Sequence, residues 1–151
     1  MLIAPDASPE TVLARGRAVL HQQGFSRFMG TELTAFGPGH AELQLPLRAE
    51  HQQQHGFAHG GVLGYLADLA LTFAGGSALD GNVLTSELKI NYVRPAVGER
   101  LIARAQCVHA GKTQAVTRCE VYAVSGGIEK LCAAAQGTIV RVPDSKVVPK
   151  D

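Results

Sequence analysis

Asp68 is the residue whose type and setting most call for a chemical explanation. It lies in the run 59–79, HGGVLGYLADLALTFAGGSAL, where almost every residue from 62 to 74 is apolar or small. A helix built from this run is apolar on all sides and belongs in a core. An ionised carboxylate without partners in such a place costs several kcal/mol, on the order of what one domain can spare. Thr72 follows four residues on, one helical turn away on the same face. Gly60 and Gly61 stand at the N-terminal end, where a helix leaves its first N–H groups unsatisfied and glycine lets a ligand come close. The run thus offers backbone donors at one end and a carboxylate two turns along. Asp68 could instead be a structural carboxylate capping a buried loop, and the glycines could serve a tight turn; the helical setting favours chemistry.

A second pattern with chemical potential is the recurrence of His51, His55 and His59 every four residues. On a helix these would form a stripe of imidazoles able to hold zinc. Gly56, Gly60 and Gly61 interrupt any helix there and the sequence has no HExxH, so no metal is expected.

These residues need elements to position them. Residues 9–23 read as a short amphipathic helix, with Ser8 as N-cap, Pro9 in the first position, Val12, Ala18, Val19 and Leu20 at helical spacing, and Gly24 as its end. Residues 25–36 read as extended. Residues 40–47 alternate Ala41, Leu43, Leu45 and Leu47 against Glu42 and Gln44, the pattern of a half-buried strand. The polar stretch 48–56 is a loop leading into the central helix, and Gly75, Gly76, Asp80 and Gly81 mark a stop and a turn after it. Residues 83–93 alternate Leu88, Ile90 and Tyr92 against Glu87, Lys89 and Asn91 and end at Arg94-Pro95. Strands over 101–109, 113–124 and 129–141 follow as a meander, and the tail 143–151 reads as frayed. One buried helix followed by four long strands predicts an α+β fold, a single antiparallel sheet wrapped around that helix. Such a sheet leaves edges and part of a face open, so at least a homodimer is expected.

Composition narrows the partners. With 151 residues and 46% apolar content the chain is expected to form one domain over 1–151, with a core over about 25–142. A net charge of +1, with the signs interspersed, gives no electrostatic case for nucleic acid or an anionic membrane. Cys107, Cys119 and Cys132 form no CxxC and fall in alternating apolar segments, which reads as reduced core thiols and a cytoplasmic protein. The N-terminal residues carry no basic region followed by an apolar run, and the apolar stretch 62–74 is too short for a membrane span.

The run Gln53-Gln54-His55-Gly56-Phe57-Ala58-His59-Gly60-Gly61, the Leu66-Ala67-Asp68 after it, and Glu87-Leu88-Lys89-Ile90-Asn91-Tyr92-Val93-Arg94-Pro95 resemble the hotdog-fold acyl-CoA thioesterases of the phenylacetate-degradation, PaaI-like type. The resemblance extends over about 53–140. It implies an antiparallel sheet around one long helix, dimers often paired into tetramers, and hydrolysis of an acyl-CoA thioester to free acid and coenzyme A. No cofactor is implied, coenzyme A being part of the substrate.

Residue by residue, the resemblance implies Asp68 as nucleophile or as general base on water. It implies the Gly60 N–H, with Gly61 beside it, as the group that polarises the thioester carbonyl, a donor worth about 3 kcal/mol in a dry site. His59 is then an orienting residue, Gln53 a side chain near the thioester, Thr72 a hydroxyl beside the acid, and Thr85 or Ser86 the strand hydroxyl used in other branches. Lys89 and Arg94 are candidates for the phosphates of coenzyme A. Gly60 and Asp68 are about 12 Å apart by helical rise, too far to meet one carbonyl within one subunit, so a site shared between two subunits is expected. Two alternatives stand beside hydrolysis: a hotdog dehydratase using His59 and Asp68 as acid and base, and a non-catalytic acyl-binding module. Small residues such as Gly64, Ala67 and Ala70 leave room for an aryl or a short to medium alkyl group, without deciding between them.

Overall fold

The computed structural model describes residues 6–143, so all of the expected frayed tail but Pro143 lies outside the described residues. Helix α1, Pro9–Gln22, begins as its sequence requires: Ser8 is extended and its Oγ accepts the Thr11 N–H at 3.2 Å. Val12, Gly16 and Leu20 form its buried face. Gly16 is needed for that contact, since a Cβ there would lie 2.7 Å from Leu33 and Phe36.

The stretch expected to be extended from residue 25 instead opens with a second helix, α2, Gly24–Met29. Its physical cause is the stop at Gly30, which adopts φ 75° and returns its N–H to Arg27 and Ser26 carbonyls. Phe25 and Phe28 face solvent on this turn with their rings stacked, and Phe25 meets the Tyr65 ring edge-on at 5.0 Å. The extended part is confined to β1, Glu32–Gly37, followed by β2, His40–Pro46. The loop after β2 contains a short 3-10 turn, Ala49–His51.

The central helix α3 runs Gly60–Leu79. It passes through Gly75 and Gly76 without stopping, contrary to their reading as part of the stop. Gly75 is there for packing, because a Cβ would sit 2.6 Å from Ile139. After Asp80 come β3, Val83–Tyr92; β4, Arg100–Ala110; β5, Gln114–Ser125; and β6, Ile128–Arg141. All pairings are antiparallel, in one six-stranded sheet of order β1-β2-β4-β5-β6-β3. The sheet curls around α3, which touches every strand. This is the α+β hotdog architecture. Though α3 is long and apolar enough to cross a membrane, most of it is buried inside the sheet.

The burial of α3 is not complete. Between residues 61 and 72 only Gly61, Gly64, Tyr65, Asp68 and Thr72 escape full burial. Their spacing of three and four makes one stripe along the helix. The expectation of a helix buried on all sides is therefore corrected: the sheet covers most of α3 and leaves one face open, and Asp68 stands on that face. At one edge of the sheet, β3 exposes Leu84 at 62% and Tyr92 at 55%, with Val93 just beyond it at 56%.

Candidate active site

The site is assembled from two groups on the open side of α3. The first lies at the helix start. His59 is extended and caps α3, its Nδ1 accepting the Gly61 N–H at 2.9 Å. The Gly61 donor is thereby spent inside the chain. The Gly60 N–H, by contrast, has no acceptor among the described residues. As the first residue of the helix it carries an orphan donor at the positive end of the helix dipole. Tyr92 covers this glycine: its hydroxyl donates to the Gly60 carbonyl at 3.0 Å, and a Cβ on Gly60 would lie 3.4 Å from its ring.

A surface cavity of about 380 Å³ opens here, lined by Gln53, Phe57, Gly60, Tyr92 and Arg94 among others. Gln53 is held by main-chain bonds, its N–H donating to the Phe57 carbonyl at 2.9 Å and its carbonyl accepting from Gly56 at 2.9 Å. Arg94 donates to the Leu131 carbonyl at 3.2 Å. Of the residues singled out from sequence, the structure thus brings Gln53, His59, Gly60, Gly61 and Arg94 to one place. Lys89 is not among them. Strand alternation puts Leu88, Ile90 and Tyr92 on the core side of β3 and Lys89, which is exposed, on the other.

The second group surrounds the carboxylate. Thr85 Oγ1 donates to Asp68 Oδ1 at 2.7 Å, and Thr72 Oγ1 lies 2.8 Å from Thr85 Oγ1 and donates to the Asp68 carbonyl at 2.8 Å. Asp68 Oδ2 has no partner among the described residues. One oxygen is fixed by a hydroxyl and the other is free to meet a substrate or water. Thr85 rather than Ser86 provides that hydroxyl because β3 slips register against β6 between Thr85 and Glu87. Ser86 is the extra residue of the bulge and donates to the Thr138 carbonyl at 3.2 Å. A second cavity, of about 700 Å³, adjoins this group at Thr72 and is walled by α1 at Ala18 and Val19, by Phe73 and by Val83.

Other candidate chemistry is dispersed. His51 is buried beside Arg48, His55 is exposed next to Gln54, and His59 is the helix cap. Burial raises all three cysteine thiols, Cys119 to about 12, so none is a ready nucleophile. Reading the sequence missed Tyr92 as a site residue, although its place on the inward face of β3 was visible in the alternation. Reading the sequence put Asp68 and Thr72 on one face of the helix but did not extend that face to Gly61, Gly64 and Tyr65, whose signal is their spacing.

Comparison with known proteins identifies the family and the fold. The family model described as the thioesterase superfamily matches residues 55–130, which include the helix start, Asp68 and Thr85. A protein of Archaeoglobus fulgidus that carries an esterase name is 36% identical over 106 residues, 69% of this chain and 66% of that one. A 1,4-dihydroxy-2-naphthoyl-CoA hydrolase of Listeria monocytogenes is 25% identical over 118 residues, 77% of this chain and 94% of that one. A mutant structure of the phenylacetic acid degradation protein PaaI of Thermus thermophilus superposes with a TM-score of 0.70 at 35% identity, covering 80% of this chain and 100% of that one. The chain belongs to the thioesterase superfamily, in its hotdog-fold, PaaI-like branch, and is a thioester hydrolase.

Proposed function

We propose that the substrate is an acyl-CoA thioester, cleaved to free acid and coenzyme A, and that the site is completed only when two copies of the chain meet. The observation that carries this reading is the Asp68 carboxylate, held at one oxygen by Thr85 on the open stripe of an otherwise buried helix. The unpaired Oδ2 either attacks the thioester carbon, giving a mixed anhydride that water then hydrolyses, or takes a proton from the water that attacks. In both routes the C–S bond breaks and the sulfur leaves as coenzyme A thiolate. The Gly60 N–H, unpaired within the chain, stabilises the oxygen that becomes negative, and His59 and Gln53 frame it.

Both groups sit on α3, eight residues apart, hence about 12 Å by helical rise. The donor must lie about 3 Å from the thioester oxygen while the carboxylate reaches the thioester carbon or the water that attacks it, so the donor of one copy works with the carboxylate of the other. The exposed apolar edge of β3 supports pairing of two copies along that strand. Arg94, in the cavity with Gly60, faces the phosphates of coenzyme A. The chemistry needs no metal or organic cofactor, and the free thiols suit a cytoplasmic protein.

The test is a hydrolysis screen over aryl- and alkyl-CoA thioesters that reads the released thiol, run on the wild type and on Asp68→Asn. Asp68→Asn is expected to fold normally and to lose at least about a hundredfold in kcat. A folded variant with undiminished kcat would remove Asp68 from the mechanism.

A further inference from the structure

His51 is among the few polar side chains buried in the described residues, only 3% exposed, and nothing in the reaction above uses it. It ends the 3-10 turn Ala49–His51 and precedes the loop that carries Gln53. Its Nδ1 accepts the Arg48 N–H at 3.2 Å, and its Nε2 lies 3.1 Å from Arg48 Nη2. The same Arg48 nitrogen donates to the Phe28 carbonyl of α2 at 2.8 Å. In the other direction, the His51 carbonyl accepts the His59 N–H at 2.8 Å. His59 is the cap of α3, and the next N–H is that of Gly60. A continuous strut therefore runs from α2 through Arg48 and His51 to the residue that orients the Gly60 donor.

We propose that His51 is a positioning residue for the Gly60 N–H and holds it in place only while its imidazole is neutral. The proposal rests on the reading of Gly60 as the donor to the thioester carbonyl. A second ring proton would remove the lone pair that accepts from Arg48 and place a positive charge about 3 Å from a guanidinium.

The surroundings favour the neutral ring. Burial first, then the Arg48 charge, hold His51 below the ordinary histidine range against the opposing pull of the Pro46 carbonyl and Glu50. From α2 the strut meets a carbonyl, not a charge. The two charges beside the neighbouring loop at Ala96 are engaged elsewhere, Arg94 with the Leu131 carbonyl and Glu99 with the Gly126 N–H. The His59 ring is turned to Gly61. Since the folded value lies below the unfolded one, the neutral strut is fully present above about pH 6.5 and is lost as pH falls through the lower folded value.

The experiment is the pH profile of kcat for wild type, His51→Gln, His51→Ala and Arg48→Met, each checked for folding by circular dichroism. In the wild type the His51 ring must be neutral, so log kcat should fall on the acid side more steeply than in a variant whose residue 51 cannot titrate. His51→Gln keeps an acceptor for the Arg48 N–H but cannot titrate; it should rescue most of the activity that His51→Ala loses, with an acid limb shallower than that of the wild type. His51→Ala should lower kcat at about pH 8 by tenfold or more with little change in KM. Arg48→Met, by removing the repelling charge, should move the acid limb to higher pH. An acid limb identical in wild type and His51→Gln, or a folded His51→Ala with wild-type kcat, would overturn the proposal. Failure of the underlying reading looks different: Gly60→Pro, which lacks the N–H, would then retain full activity whatever His51 does.

Discussion

Thr85 Oγ1 donates to Asp68 Oδ1 at 2.7 Å, joining the edge strand β3 to the open face of the central helix. The bond exists because the bulge at Ser86 shifts the pairing of β3 with β6 by one residue, which puts Thr85 on the same face of the strand as Leu88, Ile90 and Tyr92. It leaves the carboxylate with one restrained and one free oxygen, the arrangement needed for a group that must attack or take a proton in a fixed direction.

A consequence is that the two neighbouring hydroxyls of β3 differ in importance. Thr85→Ala removes the restraint on Asp68 and should lower kcat by about tenfold or more, within the range of a lost positioning hydrogen bond in a catalytic site. Ser86→Ala removes only the bond to the Thr138 carbonyl and should stay within about twofold. Steady-state kinetics on the two variants decide it: equal losses would mean that the register of the bulge does not set the chemistry.

The proposed pairing of two copies places the exposed edge of β3 at their contact. Leu84 is 62% exposed on a strand with one open side, so Leu84→Lys should oppose pairing of two copies at that edge and shift light scattering towards the monomer mass. Hydrolysis should decline in parallel with the dimer fraction. A fully active monomer would show that one chain suffices.

Stability below neutral pH should depend on the outer face of the sheet. Arg104 bridges Glu42 at 2.7 Å and Glu129 at 2.6 Å. Burial pushes the Glu42 carboxyl up, but hydrogen bonds from Arg104 and Thr34 and the charge of Arg104 outweigh it, and the net shift is downward. A lowered folded value means that this contribution is complete above about pH 4.3 to 4.5 and disappears as pH falls through the folded value. Urea unfolding of Glu42→Gln against wild type should show a deficit at neutral pH that shrinks on acidification. A deficit constant from pH 7 to pH 3 would show that Glu42 acts through packing and not through charge.

Much of this arrangement was legible in the residues. The alternation of Leu88, Ile90 and Tyr92, the turn signals between the later strands and the apolar run around Asp68 each report a single local constraint, and each led to the element found. Where several constraints compete, the reading failed. Residues 24–29 carry aromatic side chains that suit strands, yet Gly30 in a left-handed conformation closes them into a helix. Gly75 and Gly76 have the form of a stop signal and instead admit Ile139 and Val83 against the helix, a tertiary demand invisible along the chain. The choice between Thr85 and Ser86 hinged on a bulge, which periodicity alone does not locate. Burial of His51 beside Arg48 also follows from folding, since both lie in a stretch that is polar throughout.

A site divided between two copies of the chain is open to subunit complementation. Gly60→Pro deletes the donor with little disturbance, because proline suits the first position of a helix and His59 already has the extended conformation that precedes proline. Asp68→Asn deletes the other half. Each homodimer should be inactive, while a mixture with verified subunit exchange contains heterodimers with one intact site, formed from the Gly60 of one chain and the Asp68 of the other. At complete exchange of equal amounts, half of the dimers are mixed and each carries one of two sites, so activity should recover to about a quarter of the wild-type rate per chain. A mixture that exchanges subunits and remains as inactive as its parents would contradict the shared site.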